Sequence, residues 1–541
     1  MARSRDTYVE SERTPLVREQ TISDQDLHDG LHHAEEEAGS TVTSLDETKH
    51  LSTEISSVIA LLLLGVFVAN ADTSLVLATY SSISSEFLEF EQASWLLASY
   101  TLAMCVSQPL YGKLCNIFGR KSCLLGVYVF FMVGCLQCGV ASSMSGVIIG
   151  RAIGGVGGAG ISSIVSFLIA DLVPLAEIAT YRSYVNIVQT MGRASGGPLG
   201  GWLAQSLGWR WSFLIQCPLT LSAFLLVQWK LRQHRPVFHI EGSFIQQLKR
   251  VDILGSLLIS ASNVAGLLPM NLGGDYRWNH PIVLALFGSS AATLILFIVV
   301  ELQMVKEPIF HLELLVNRNF TLSYLVMLFQ NVAQTFVSFS FCTATYCELT
   351  ALDDVYSALV LSDYPISPST AGTYLVPAVV GNTIGGLACG AYIRRFGSYK
   401  APTIFATIAS AACHSLLLLR WRGSTGVLES LYIVLGWMGT GVSHSSIFIA
   451  LVSAVTEEEV AIAGSGLYLF SSLRSVLGFT LSSNLLRLAT QTWAQRQLGS
   501  KHQVIINRAL SDIVFAQRLK GDLKTAITDA YLHGFHAVFC T

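Results

Sequence analysis

Residues 112–121 read Gly-Lys-Leu-Cys-Asn-Ile-Phe-Gly-Arg-Lys, and residues 390–400 read Gly-Ala-Tyr-Ile-Arg-Arg-Phe-Gly-Ser-Tyr-Lys. Each segment begins with glycine, reaches Phe-Gly six residues later and ends in a cation. Each also follows a long apolar run, the second run of the chain in one case and the tenth in the other. A repeat at equivalent places predicts two halves of similar architecture.

The apolar runs predict helices that cross a membrane. Only 13% of the 541 residues are charged and 52% are hydrophobic, whereas a soluble domain carries about 25% charged residues. A helix crosses the hydrocarbon core in about 20 residues, and backbone groups in lipid must be paired internally. The predicted spans are 57–79, 94–112, 122–142, 147–170, 184–206, 211–229, 252–272, 281–301, 320–345, 371–393, 402–420, 429–453 and 463–486.

The distribution of Lys and Arg predicts the orientation of these thirteen spans. One alternating set of loops holds fourteen cations and the other holds four. The positive-inside rule places the first set, and with it the N-terminus, in the cytosol. Residues 1–50 are polar, lack an apolar signal sequence and predict a disordered cytosolic tail. Within this tail, Glu12-Arg-Thr-Pro-Leu16-Val17 is close to an acidic-dileucine sorting signal, although such short patterns also arise by chance.

The repeated loop resembles the signature loop of the major facilitator superfamily, G-x-x-x-D-R-x-G-R-R. Gly112, Gly119, Arg120 and Lys121 match it, but Asn116 replaces the family's Asp and isoleucine replaces the following Arg. That departure puts in doubt an Asp–Arg ion pair within the loop. The resemblance implies two six-helix bundles that alternate in access, with substrate bound between them near the midplane.

Two further segments resemble the branch of fourteen-span drug:H⁺ antiporters. The string Gly192-x-x-x-Gly196-Gly197-Pro198-Leu-Gly200-Gly201 is similar to its antiporter motif, and Asp72-Thr73 is similar to a pair near its first helix. Small residues allow close helix packing, and Gly-Pro allows a kink. Residues 375–383 (Leu-Val-Pro-Ala-Val-Val-Gly-Asn-Thr) and 311–320 (His-Leu-Glu-Leu-Leu-Val-Asn-Arg-Asn-Phe) resemble fungal vacuolar basic amino acid transporters.

The resemblance implies an N-terminal bundle over 51–230, a linker with two extra central spans over 231–310, and a C-terminal bundle over 311–541 that lacks a final span. Residues 342–366 do not resemble the family's short loop between spans 9 and 10. We therefore expect errors in the gene model at this segment and at the C-terminal end.

Polar groups inside the spans are the candidates for binding substrate and protons, because a charge there costs about 2.5–3.5 kcal/mol or more. Asp72 could bind a cation or a proton, or could instead pair with a neighbouring helix. Arg151, expected in the cytosolic third of span 4, could tune a nearby acid or extend to the interface. Gln189, Gln330, Asn331 and Asn382 could line a wet cavity or form helix–helix contacts. Arg193, Arg474, His414 and His444 are also interior.

The sequence contains no pattern that indicates an enzyme, a cofactor, a metal site or nucleic-acid binding. The glycine run at 154–160 lacks the Lys-Ser/Thr of a phosphate loop, and the isolated Cys135-x-x-Cys138 lies in an apolar helix, where cysteine usually acts as a small hydrophobe. The expected partners are a small-molecule substrate, protons and the lipid bilayer, and the expected state is a monomer.

We expect a proton-coupled antiporter that moves small molecules, most plausibly basic amino acids into the vacuole. The alternative is a plasma-membrane exporter of drugs or siderophores, and a transport-inactive nutrient sensor is a further possibility. Asp72→Asn is expected to abolish proton-coupled uptake while leaving folding intact.

Overall fold

The computed structural model describes residues 56–80, 82–89, 92, 95–231, 252–272, 280–303, 317–318, 320–330, 332–334, 376–420, 427–456, 459–499, 505–506 and 522–540. The main helices are α1 (Ser56–Tyr80), α2 (Trp95–Phe118), α3 (Arg120–Val140), α4 (Met144–Leu172), α5 (Leu175–Ser206), α6 (Trp209–Leu214), α7 (Gln216–Lys230), α8 (Ile253–Leu272), α9 (Pro281–Gln303), α10 (320–330), α11 (Val376–Phe396), α12 (Lys400–Arg420), α13 (Val427–Val452), α14 (Val460–Leu498) and α15 (Asp522–Cys540). No strand occurs in these ranges.

The prediction of an all-α membrane protein is confirmed. Each predicted span coincides with a helix or with the described part of one. Seven of the described helices are long and apolar enough to cross a membrane by length and composition alone. Others, such as α5, miss that threshold because their polar side chains face protein instead of lipid.

Glycine sets the helix packing in the N-terminal half. α4 packs against both α2 and α3. A methyl group added at Gly134 of α3 would lie 2.3 Å from the backbone nitrogen of Gly154 in α4, and one added at Gly157 would lie 2.4 Å from that of Phe131. Only glycine allows backbones to approach this closely, so the run after Arg151 is a packing surface.

The C-terminal half is packed in the same way. α13 contacts both α11 and α12, and a methyl group on Gly385 of α11 would lie 2.2 Å from the carbonyl oxygen of Met438 in α13. The predicted division into bundles over 51–230 and 311–541 remains a prediction, because the described helices from residue 58 onward form one compact unit.

The two extra helices pack beside the N-terminal half. α8 and α9 contact each other through Ser262 and Ser290, and the Asn263 side chain of α8 donates to the Cys105 carbonyl of α2 at 3.2 Å. α9 exposes most of its apolar side chains, which suits a surface that faces lipid.

Two helices differ in length from the prediction. α5 begins at Leu175 and not near 184, and the polar side chains of Arg182 and Ser183 in this added part are buried against other helices. α14 extends to Leu498, and its 39 residues span about 58 Å, well beyond the membrane core. α15 packs on this extension, where the rings of His533 and Trp493 lie 3.7 Å apart. Residues 342–366 and the Glu12–Val17 segment lie outside the described residues.

Candidate functional site

Asp72 and Arg151 form an ion pair inside the N-terminal half. Arg151 Nη1 of α4 lies 2.5 Å from Asp72 Oδ2 of α1. The Arg151 side chain is 3% exposed and the Asp72 side chain 0%. Arg151 is the eighth residue of α4, at the end remote from Asp171. Its expected placement in the cytosolic third therefore conflicts with the positive-inside prediction, which assigns the opposite end of α4 to the cytosol. The helices bring together the two charges that the sequence singled out.

Further contacts close this pair off from solvent. The Gln216 side chain of α7 donates to Asp72 Oδ1 at 3.1 Å, and Arg151 Nε donates to the Leu96 carbonyl at 3.2 Å. The guanidinium of Arg151 also stacks over the ring of Tyr100, 4.2 Å from its centroid. Each oxygen of Asp72 therefore accepts a hydrogen bond from another helix, and the carboxylate is fully buried in this conformation.

An ion pair also forms at the signature loop, although the loop itself has lost its acid. Arg120 Nε lies 3.0 Å from Asp171 Oδ2 at the end of α4, and Arg120 Nη1 donates to Asn116 Oδ1 at 2.7 Å. Lys121 Nζ donates to the Gln228 carbonyl. Asp171 thus supplies the charge that the resemblance placed at position 116, and Asn116 keeps the hydrogen bond.

The antiporter-like string on α5 divides into packed and open positions. Methyl groups added at Gly192, Gly196 or Gly200 would lie within 3 Å of backbone atoms of α1, and the closest approach is 2.2 Å between Gly196 and the Ala71 carbonyl. At Gly197 and Gly201 a methyl group would meet nothing within 4 Å, and Pro198 is exposed. The motif is therefore a one-sided contact between α5 and α1.

Below this string, α5 and α11 form a polar contact that we call the α5–α11 seam. The Asn186 side chain donates to Asn382 Oδ1 at 3.0 Å, and Asn382 Nδ2 donates to Thr190 Oγ1 at 2.6 Å. One turn nearer the start of α5, Ser183 Oγ donates to the Gly386 carbonyl at 2.6 Å and bonds to Ser445 of α13. Asn382 thus connects the two halves.

Arg182 is a buried member of the same contact. It lies between the predicted spans 147–170 and 184–206 and was therefore expected in a loop. It is 3% exposed. Its Nη1 donates to Tyr468 of α14 at 2.6 Å and to Ser166 of α4, and its guanidinium stacks over Phe448 of α13 at 4.4 Å. The sequence signal was the spacing of Arg182, four residues before Asn186, which places both side chains on one face of a helix.

The remaining candidates are dispersed. Gln189 is buried on α5, whereas Gln330 lies on α10 and donates to the Ala406 carbonyl at 3.2 Å. Asn331 lies outside the described residues, as does the side chain of Arg474. The ring nitrogens of His414 bond to the carbonyls of Ser410 and Ala333, which is a helix-packing arrangement.

The two halves meet at the ends that carry Arg120, Lys121, Arg394 and Arg395. There α2 lies so close to α14 that a methyl group on Gly112 would be 2.8 Å from the Ala461 carbonyl. α5 is in contact with α11 and α13 at the same end. Beyond the α5–α11 seam, Arg193 and Pro198 of α5 are exposed. The structure is thus closed between the halves at the basic end.

Glu86 organises the opposite end of the N-terminal half. Trp209 Nε1 donates to Glu86 Oε2 at 2.6 Å, Arg210 Nη1 lies 2.7 Å from Oε1, and Arg210 also bonds to the Ala141 carbonyl. The hydrogen bond from the Trp209 indole has the largest effect and, together with Arg210, holds the pKa of Glu86 below its ordinary value against the opposing effect of burial.

Comparisons with known proteins agree with this architecture. The sequence profile of the Major Facilitator Superfamily matches residues 62–479. The chain is 32% identical to the vacuolar membrane amino acid uptake transporter fnx2 of Schizosaccharomyces pombe, over 90% of this chain and 81% of fnx2. It is 29% identical to the multidrug resistance protein fnx1 of the same yeast, over 91% and 90%.

Two other proteins extend the comparison. The vacuolar basic amino acid transporter 2 of Saccharomyces cerevisiae is 26% identical, over 81% of this chain and 92% of that protein. The solved structure of the proton:xylose symporter XylE superposes with a TM-score of 0.52 at 15% identity, over 86% of this chain and 94% of XylE. The structural match supports the fold alone.

Proposed function

This chain belongs to the Major Facilitator Superfamily, and from that premise we propose that it is a proton-coupled antiporter that carries basic amino acids across the vacuolar membrane. As a member of this family it is a membrane transporter and not an enzyme. The proposal concerns the substrate, the coupling ion and the membrane.

The observation that carries the proposal is the similarity to fnx2 over nine-tenths of this chain, together with the similarity to a vacuolar basic amino acid transporter. The names of both relatives specify amino acids and the vacuole. Extended similarity supports a shared substrate class better than the fold does, because one fold serves many functions.

The closed basic end supports transport by alternating access. Hydrogen bonds of the α5–α11 seam join residues from the two halves, so opening at this end must break them. The positive-inside prediction assigns this end to the cytosol. In the proposed cycle, the present conformation faces the vacuolar lumen, and rupture of the seam lets substrate enter from the cytosol.

Asp72 supports the proposed coupling to protons. A carboxylate buried at membrane depth must be neutralised by a cation or by a proton. Arg151 neutralises it in this conformation. We assign the proton to Asp72 in a conformation in which Arg151 has moved away, so that protonation and movement of α1 against α4 depend on each other.

Export of drugs across the plasma membrane is the second candidate. It is favoured by the similarity to the multidrug resistance protein fnx1, which covers 91% of this chain.

Vacuolar vesicles from a yeast strain that expresses the chain test the proposal. We expect uptake of labelled lysine that exceeds uptake by vesicles of the parent strain and that stops when a protonophore removes the pH gradient. Lysine uptake equal to that of the parent strain, combined with drug resistance of the expressing cells, would favour the second candidate.

A further inference from the structure

A stripe of four polar residues runs along one face of α5. Arg182, Asn186, Gln189 and Arg193 are spaced by four, three and four residues, so their positions around the helix fall within about 60° of one another. The two arginines are three turns apart, about 16 Å along the axis. Asn186 shows which way the stripe faces, since it bonds to Asn382 of the other half.

Arg182 is a cation that lacks a counter-ion. Every hydrogen bond that it donates goes to a hydroxyl group, and among the described residues it forms no ion pair. Its Nε is buried and has no hydrogen-bond partner. Two of its contacts, Tyr468 and Phe448, belong to the C-terminal half, so opening of the closed end would strip them away.

Arg193 occupies the other side of the seam. It lies beyond Thr190, the last α5 residue that bonds to Asn382, and its side chain is exposed. It forms no hydrogen bond or ion pair with any residue that the structure describes. The path between the halves thus has one unneutralised arginine on each side of its closed section.

The buried acid Asp72 of the N-terminal half is already used. Asp72 is fully buried and paired with Arg151, so it does not neutralise the stripe. The buried guanidinium of Arg182 is away from bulk water and needs an anion once its contacts with the other half are lost. The planar fork of either arginine can bind a carboxylate through two parallel hydrogen bonds.

We propose that Arg182 and Arg193 form a two-position carboxylate site, which binds the carboxylate of a transported amino acid. Arg193 holds this group when the path is open on its side of the seam. Arg182 holds it when the basic end is open and Tyr468 and Phe448 have withdrawn. Asn186 and Gln189 supply hydrogen-bonding groups between the two positions.

The identity of the ligand as an amino acid rests on the proposed function, but the two ideas predict different selectivities. A carrier that recognises only the cationic side chain should accept lysinamide and cadaverine, which lack the carboxylate. A carrier that uses the arginine pair should reject both. The site does not require a basic side chain, so it would also accept a neutral amino acid such as leucine if the rest of the path allows it.

Competition binding to the purified full-length chain in detergent tests the inference. Labelled lysine is displaced by unlabelled lysine, lysinamide or cadaverine. We expect lysinamide to compete about tenfold to a hundredfold more weakly than lysine, because hydrogen bonds between charged groups have that effect on affinity. The measured quantity is the ratio of the lysinamide concentration to the lysine concentration that displaces half of the label. Arg182→Met and Arg193→Met should each reduce this ratio, and Arg182→Lys should give an intermediate value.

Ser445→Ala is the matched control. It removes a hydrogen bond to Ser183 in the closed contact without changing a charge. Loss of this bond shifts the balance between conformations and affects lysine and lysinamide alike, so the ratio should stay at its wild-type value. If Arg182 acted only in closure, Arg182→Met would behave like this control.

Labelled leucine, with leucinamide as its competitor, separates failure of this inference from failure of the proposed function. Carboxylate-dependent binding of leucine without binding of lysine would overturn the basic specificity and support the arginine site. Equal competition by lysine and lysinamide would overturn the site and leave the basic specificity standing. Absence of carboxylate-dependent binding for both amino acids, or a ratio that neither Arg→Met variant changes, would also overturn it.

Discussion

Replacement of Asp72 by asparagine removes the charge that neutralises Arg151 but keeps the size of the side chain. Two charges about 4 Å apart interact by about 4 kcal/mol at an effective dielectric constant of 20. Asparagine also has one acceptor oxygen for two donors, Arg151 Nη1 and Gln216 Nε2. Together these losses should destabilise the N-terminal half by about 3–5 kcal/mol, the usual cost of breaking a buried ion pair. This replaces the expectation from the sequence that Asp72→Asn leaves folding intact, because the sequence did not reveal the pairing with Arg151.

Thermal unfolding of the purified chain in detergent measures this loss. We expect a lower midpoint for Asp72→Asn and for Arg151→Met, since each leaves a buried group without its partner. The double variant removes both charges and should recover much of the midpoint, because the partners interact directly. Lysine uptake by the double variant then tests coupling in a folded protein, which Asp72→Asn alone cannot do.

Three results would each refute a part of this reasoning. A wild-type midpoint for Asp72→Asn would mean that the charge pair does not hold α1 to α4. A double variant whose loss equals the sum of the single losses would mean that the two side chains do not interact. A stable double variant that still takes up lysine in response to a pH gradient would show that Asp72 is structural.

Three further predictions follow from single positions. Because the pKa of Glu86 is depressed in the folded protein, the stability that Glu86 contributes is present above its ordinary pKa of 4.5 and is lost as the pH falls through the lower folded pKa. The thermal unfolding midpoint of wild type should therefore fall more steeply below pH 4.5 than that of Glu86→Gln, whose side chain does not titrate. Gly196→Ala should lower both the unfolding midpoint and uptake, whereas Gly197→Ala should match wild type; equal behaviour of the two variants would contradict the one-sided contact. Gly112→Ala should hold α2 away from α14 and increase labelling, from the end that carries Arg120 and Arg394, of a cysteine introduced into the α5–α11 seam. Unchanged labelling would show that this close approach does not control closure.

The sequence allowed prediction of the spans because lipid requires long apolar helices, and the described part of each expected span coincides with helix. It was less informative where helices face protein. The first turns of α5 are polar, so hydropathy assigned Arg182 to a loop although it is buried between the halves. Hydropathy registers transfer to lipid and is insensitive to polar groups that other helices satisfy.

Pairings between distant residues were harder to predict than the residues themselves. Asp72 and Arg151 each attracted attention as interior charges, but the 79 residues between them give no indication that they touch. The replacement of the family's loop acid by Asn116 suggested a lost ion pair, yet Arg120 pairs with Asp171, 51 residues along the chain. Such contacts depend on helix packing in three dimensions.

The composition of the α5–α11 seam has a kinetic consequence. Apart from Arg182, its members are short amides and hydroxyls, with hydrogen bonds worth about 0.5–1.5 kcal/mol each on balance, and water can replace these hydrogen bonds when the halves part. These hydrogen bonds therefore add little to the activation barrier to separation. A carrier that must reverse with every molecule moved needs such a contact, because strong ion pairs across the same surface would slow each turnover.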